Sequence, residues 1–169
     1  MKISKEKKLK KYLEELILHK PVQYVLNEAW FYKIKFFVNE HVLIPMPETE
    51  ELVDWIVDNV RCTMYDVRCK ESLHLLDIGT GSGCMAISLK KNLEDVSVFA
   101  IYVSDDDLRV AKKNANDLNT KLNFFKINFL EEKQWDSLSM FNVIVSNPPY
   151  IPETEKEKFK NISIELSTK

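Results

Sequence analysis

Two short stretches of this chain hold the residue types from which chemistry can be built. The first is Asp77-Ile78-Gly79-Thr80-Gly81-Ser82-Gly83. A strand-like run, Leu73-His74-Leu75-Leu76, leads into the acid, and glycines follow at alternate positions. Cys84-Met85-Ala86-Ile87-Ser88-Leu89 then reads as the start of a helix. The chain has 3 glycines in 169 residues, and all of them stand in this turn. Glycine takes φ > 0 at no steric cost and lets a ligand approach the main chain closely. A helix start just beyond it offers unpaired N–H groups and the positive end of its dipole.

The spacing is Asp-x-Gly-x-Gly-x-Gly, which differs from the Gly-x-Gly-x-x-Gly of dinucleotide sites. The acid would repel a pyrophosphate and suits a cationic group instead, such as the ammonium of an amino acid. S-adenosylmethionine carries that group together with a sulfonium and a nucleoside. The opposing reading is a tight strand–helix turn with no ligand, for which three glycines are more than one turn requires.

The second stretch is Asn147-Pro148-Pro149-Tyr150. Asn-Pro and Pro-Pro mark turns in any protein, so turn chemistry alone would explain it. Read chemically, Asn147 offers a carbonyl acceptor and an amide donor. The two prolines stiffen the backbone and remove N–H donors, leaving carbonyls. A rigid acceptor pair beside an aromatic ring suits a planar –NH2 group, held by both hydrogens so that its lone pair faces an electrophile.

The elements that must position these stretches follow from periodicity. From residue 72 onward strands and helices alternate. Strands are expected over 73–78, 96–103, 122–127 and 141–146, with a short ambiguous segment at 135–138. One helix runs over 84–92, and another after Ser104 buries Leu108, Ala111, Ala115 and Leu118. Ser104 with Asp107 reads as a capping box. Alternation of this kind implies an α/β fold with a parallel sheet, whose ligands lie beyond the carboxyl ends of the strands. Both stretches follow strand ends and so belong on one rim.

Upstream, residues 4–19 read as a helix stopped by Pro21. Residues 30–38 and 41–44 read as a hairpin turning at Asn39-Glu40. Pro47 opens a helix to about Asn59, with Glu48, Glu50 and Glu51 in its first turn and Leu52, Val53, Ile56, Val57 and Val60 as its apolar stripe. The polar tract 61–71 reads as a connection. Trp30, Trp55 and Trp135 are expected in the core or at its edge.

Composition bounds the class. With 45% apolar and 30% charged residues and a net charge of −2, the chain reads as soluble and globular, with no overall pull toward nucleic acid or anionic membrane. Six lysines among the first eleven residues suit a solvated helix face or, alternatively, a nucleic-acid arm. No apolar run reaches bilayer length. Cys62, Cys69 and Cys84 lack zinc-type spacing and read as reduced thiols of a cytoplasmic protein. His19, His41 and His74 are scattered, and no metal site is expected.

Together, the two stretches resemble those of S-adenosylmethionine-dependent amino-group methyltransferases. Asn-Pro-Pro-Tyr is shared by adenine-N6 DNA methyltransferases, some RNA methyltransferases and protein-glutamine methyltransferases. The choice comes from Leu43-Ile44-Pro45-Met46-Pro47-Glu48-Thr49-Glu50-Glu51-Leu52, preceded by Pro21-Val22-Gln23-Tyr24-Val25-Leu26. With these the chain is similar to the peptide chain release factor N5-glutamine methyltransferases (HemK type), from about Pro21 onward.

That resemblance implies a Rossmann-like class I methyltransferase sheet, preceded by a helix and a β-hairpin. It implies S-adenosyl-L-methionine as cofactor. Its substrate would be the side-chain amide of the glutamine in the Gly-Gly-Gln loop of a class-1 translation release factor. Carried over by motif, Asp77, Gly79, Thr80, Gly81, Ser82 and Gly83 line the cofactor, with Tyr102, Asn128, Phe129 and Asn147. Asn147 and the Pro148 carbonyl hold the target amide, Pro149 stiffens the loop, and Tyr150 walls the pocket. Glu48 and Glu50 stand near the substrate mouth or serve as helix caps.

The family's sheet has seven strands, of which four are legible here. Residues 1–46 then read as a helix and hairpin linker, the remnant of a helical substrate-binding domain, and 47–169 as a partial methyltransferase domain. The strand over 141–146 would leave an apolar edge bare, which invites self-association. The chain departs from the family at Tyr102, where an acid would take the ribose hydroxyls. It departs also at Ile127-Asn128 in place of Gly-Asp, at Met46 in place of arginine, and near Asn27, where a glycine is absent. An adenine-N6 or RNA methyltransferase, and an impaired remnant that keeps only part of the fold, stay as alternatives.

Overall fold

The computed structural model describes residues 5–66, 73–138 and 140–148. Helix α1 (Lys5–Ile17) precedes a short α2 (Val22–Leu26). The first ends at Ile17, with His19 at positive φ (60°) just beyond it, and Pro21 starts the second: its carbonyl accepts the N–H groups of Tyr24 and Val25. Periodicity does not reveal α2, because five residues are too few to show a period. Strands β1 (Ala29–Phe31) and β2 (Ile34–Phe36) form an antiparallel hairpin, and α3 (Glu48–Asp66) follows.

The hairpin is present but turns at Tyr32-Lys33, not at Asn39-Glu40. Tyr32 and Lys33 both have positive φ, 51° and 60°, the signature of a two-residue turn that matches strand twist. No glycine or asparagine marks this turn; α3 holds it from outside. The Tyr32 N–H donates to Glu50 Oε1 at 2.9 Å, and its hydroxyl donates to Asp54 Oδ1 at 2.5 Å. Residues 41–44 are not a strand. Their Val42 is buried with Ala29, Val38 and Val110, and its carbonyl accepts the Tyr24 hydroxyl at 2.8 Å.

Helix α3 runs past Asn59 to Asp66. Polarity alone does not end a helix that meets no glycine or proline. Arg61 Nη2, on the extra turn, donates to the Asn92 carbonyl at 3.1 Å. Trp30 and Trp55 are surface residues, 69% and 65% exposed, contrary to the expectation of a core role. Trp30 takes the outward position of β1 between buried Ala29 and Phe31, as alternation along a strand requires.

The main sheet comprises β3 (His74–Ile78), β4 (Ser97–Tyr102), β5 (Asn123–Lys126) and β6 (Val143–Ser146). All pairs are parallel and the order is β5-β4-β3-β6. Helices α4 (Cys84–Asn92) and α5 (Asp105–Asp117) connect the strands, and a 3-10 turn spans Glu132–Ser137. Ser104 occupies the N-cap of α5 but makes no side-chain cap bond, so the expected capping box is not formed.

Leu75, Val98, Ala100 and Val145 share one core with the buried faces of α3 and α4 and with Phe31 and Phe36 of the hairpin. Leu76, Ile101 and Ile127 form a second core with Phe99, Phe129, Leu138 and Phe141. Burial on both faces is why β3 reads as a nearly unbroken apolar run. His74 is structural, its ring 5.4 Å from that of Phe99.

Two polar residues, Asp107 and Asn114, lie on the buried face of α5. Asn114, 1% exposed, accepts from the Phe37 N–H at 2.7 Å and donates to the Phe37 carbonyl at 2.9 Å and the Ser82 carbonyl at 2.8 Å. It ties the hairpin exit, α5 and the glycine turn together. Asn114→Ala leaves three backbone groups without this partner, and should lower the unfolding free energy by about 3 kcal/mol. Urea titration of the two proteins measures this.

Candidate active site

The turn after β3 is held from several sides. The N–H groups of Gly79 and Thr80 both donate to the Ile101 carbonyl, at 3.0 and 3.2 Å, and Asn114 secures the Ser82 carbonyl. All three glycines have positive φ, but their surroundings differ. A Cβ on Gly83 would lie 3.2 Å from Ala111 Cβ and 3.3 Å from Ile87 Cδ1, so this glycine lets α5 pack against the turn. Among the described residues, a Cβ on Gly79 would meet nothing within 4 Å, and one on Gly81 only the Gly79 carbonyl at 3.9 Å. The space beside those two is open to a ligand.

Asp77 lies beneath the turn, 0% exposed. The Thr80 hydroxyl donates to its Oδ2 at 2.8 Å. Its Oδ1 has no hydrogen-bond partner of normal geometry among the described residues, although the Ala86 N–H is near enough to favour the charged form. Burial dominates and pushes the carboxyl up to about 7, against the opposing pull of Thr80 and Ala86. Ser82 is buried at 2% exposure. Cys84 opens α4 packed against the core, and burial pushes its thiol up to about 12. A thiol raised in this way stays protonated near neutral pH.

Strand β6 lies beside β3, with Ser146 opposite Ile78. The Ser146 hydroxyl donates to the Ile78 carbonyl at 3.0 Å. The chain therefore leaves β6 as Asn147 next to where it leaves β3 as Gly79. Asn147 Nδ2 donates to Thr49 Oγ1, in the first turn of α3, at 2.7 Å. Pro148 is exposed. Pro149 and Tyr150 lie outside the described residues.

Tyr102 ends β4 with Ile101 paired to Ile78, which puts it on the same rim. It is half-buried, and burial followed by the charge of Asp107 raises its phenol above the ordinary value. It offers a neutral hydroxyl where an acid was expected. Asn128 follows β5, two strands from Gly79, with its side chain engaged in its own turn. Nδ2 donates to Glu131 Oε1 at 2.8 Å, and Oδ1 accepts the Leu130 N–H at 3.2 Å. Phe129 stacks on Trp135 with ring centroids 5.1 Å apart.

Residue types and spacing did not single out Thr49, Asn114 or Ser146. Asn114 had a signal, a polar side chain on an apolar helical stripe. Thr49 stood inside a motif notable for its glutamates.

The sheet order reverses at β3 and β6: from β3 the chain adds β4 and β5 on one side, then returns to place β6 on the other. Open α/β sheets bind ligands at such a crossing point, and the acid–glycine turn and Asn147 flank it. The N-terminal domain of human METTL16, determined in complex with SAH, shares the fold. It aligns with a TM-score of 0.54 over 78% of this chain and 55% of that one, at 22% identity. The architecture is that of class I S-adenosylmethionine-dependent methyltransferases. The open cradle at Gly79 and Gly81 and the unpartnered Oδ1 of Asp77 fit that class's cationic cofactor.

Residues 61–166 match the family model "Methyltransferase small domain". The release factor glutamine methyltransferase of Flavobacterium psychrophilum is 47% identical over 152 residues, which is 89% of this chain and 51% of that protein. The namesake from Chlorobaculum tepidum is 41% identical over 144 residues, 83% of this chain and 48% of that protein. The chain belongs to the release factor glutamine methyltransferase family, and spans about half the length of these curated relatives.

Proposed function

We propose that this chain carries the cofactor and carboxamide sites for methylation of the glutamine side chain in the Gly-Gly-Gln loop of a class-1 release factor. The observation that supports this most is the pairing of Ser146 with Ile78. It sets Asn147 beside the glycine turn. S-adenosylmethionine, when bound, supplies an electrophilic methyl group. Asp77 and the turn from Gly79 to Gly83 receive its methionine portion, and Tyr102 stands where its ribose would lie. Asn128 and Phe129 stand at the far end of the same rim as adenine contacts. For Asn128 this role requires release of Glu131.

Asn147 Oδ1 and the Pro148 carbonyl accept the two hydrogens of the substrate –NH2 group. An amide nitrogen is a weak nucleophile, so alignment is the larger part of what the chain contributes. The nitrogen would take the methyl group in line, the electron pair of the broken carbon–sulfur bond staying on the donor's sulfur, and would give up one hydrogen as a proton to solvent. The Pro149–Tyr150 part of the loop completes the pocket wall in this reading.

Incubation with a labelled methyl donor, and either release factor or DNA, tests the proposal. Label on the release factor that disappears when its Gly-Gly-Gln glutamine is replaced by alanine supports it. Label on adenine, or none on either substrate, overturns it.

The same sheet supports a reading on assembly. Among the described residues β6 is an edge strand, with Ile144 58% exposed. Such an edge pairs readily with a second chain. Sedimentation velocity should show mass rising with protein concentration, and Ile144→Lys should reduce that rise.

A further inference from the structure

We propose that Thr49 is a positioning residue for methyl transfer: its hydroxyl fixes the orientation of the Asn147 carboxamide. The inference rests on the function proposed above. An asparagine side chain has two ends of nearly equal size and opposite hydrogen-bonding character. A half-turn about χ2 would present donors to the substrate –NH2 group where an acceptor is required. Something must therefore hold Nδ2 away from the substrate.

The structure supplies that hold. Asn147 Nδ2 donates to Thr49 Oγ1 at 2.7 Å, a contact spanning 98 positions in the sequence. It turns the Oδ1 end away from the Thr49 hydroxyl. A hydroxyl can also donate, so the bond alone does not choose the amide's sense. The sense observed is the one with Nδ2 as donor and the Thr49 hydroxyl oxygen as acceptor.

Thr49 is itself held. Its N–H donates to the Met46 carbonyl at 3.0 Å, and the next N–H, of Glu50, donates to the Pro47 carbonyl at 2.9 Å. Glu50 in turn accepts from Tyr32 in the hairpin turn. The Pro-Glu-Thr-Glu segment thus has a mechanical role. It starts a helix whose first turn reaches across to the end of β6.

The test uses the full chain with Thr49→Val, which keeps the shape and removes the hydroxyl, and Thr49→Ser, which restores it. With release factor as substrate, Thr49→Val should lower kcat by about tenfold to a hundredfold. Affinity for S-adenosylmethionine and the urea midpoint should stay close to wild type, and Thr49→Ser should recover most of the rate. In an Asn147→Ala background Thr49→Val should cost nothing further.

A readout independent of turnover is the Asn147 side-chain NH2 signal in a 15N–1H spectrum, assigned by its loss in Asn147→Ala. Its hydrogen exchange should be slower in wild type and Thr49→Ser than in Thr49→Val. Wild-type kcat in Thr49→Val, or equal exchange in both proteins, overturns the inference while leaving the methyltransferase reading intact. A wild-type chain that labels no release factor overturns that reading, and the exchange measurement still decides whether Thr49 orients Asn147.

Discussion

Replacing Asn147 with alanine is expected to slow methyl transfer to the release-factor glutamine by at least about a hundredfold, with S-adenosylmethionine affinity changed only a few-fold. The reason lies in where the side chain stands. It follows Ser146, which is locked to Ile78 through strand pairing and its own hydroxyl. The proposed acceptor for the substrate amide is therefore fixed to the same strand pair as the cofactor turn. Alanine removes that acceptor and leaves the turn in place, because Ile101 and Asn114 hold the turn from the other side. Loss of a single aligned polar contact at a reacting centre costs about two to three orders of magnitude in rate. Single-turnover assays at saturating cofactor, beside calorimetric titration of the cofactor, separate the two effects. Unchanged turnover would remove Asn147 from the reaction.

The second large effect concerns Asp77 and pH. Its carboxyl is raised from 3.8 to about 7 by burial. The folded state therefore keeps a proton that the unfolded state has lost over that interval. Below about pH 4 both states are protonated and the group does not affect stability. Stability then falls as pH rises toward 7, by on the order of 4 kcal/mol in total, since each tenfold change in proton affinity is worth about 1.4 kcal/mol. Asp107 is raised by burial in the same direction and adds a slope of the same sign. The decisive quantity is thus the difference between wild type and Asp77→Asn. Asparagine resembles the neutral acid and can still accept from Thr80. The variant should lack the Asp77 part of the slope and be more stable than wild type at pH 8. Urea unfolding at several pH values, without cofactor, measures this. Parallel profiles for the two proteins would show that Asp77 is ionised when buried.

The raised carboxyl also bears on the cofactor. A buried acid with one unpartnered oxygen is costly alone and becomes favourable beside a cation. Among the described residues Asp77 Oδ1 is one of two buried side-chain oxygens without a hydrogen-bond partner, and in the proposed reading the methyl donor brings a positive charge toward it.

Much of this was legible in the residues because it is local. Three glycines confined to one turn require positive φ, and all three have it. Helix α4 starts at Cys84 and ends at Asn92 as its apolar spacing and the preceding turn indicate. The parallel sheet followed from alternation of strands and helices. Errors arose where distant contacts outweighed local preference. Tyr32-Lys33 turns the hairpin because Glu50 and Asp54 hold it. α2 is too short to show a period, and Trp30 faces outward because its neighbours on β1 face inward.

The sequence by itself determined the kinds of group available: an acid before a glycine turn, and an asparagine before two prolines, each at a strand end. Such features depend on backbone sterics and on neighbours in the chain, so they are written in spacing. Only the tertiary structure decided that β6 lies against β3 rather than beyond β5, and that Thr49 reaches Asn147. Strand order and a contact across 98 positions depend on packing between segments that do not influence one another until the chain has folded.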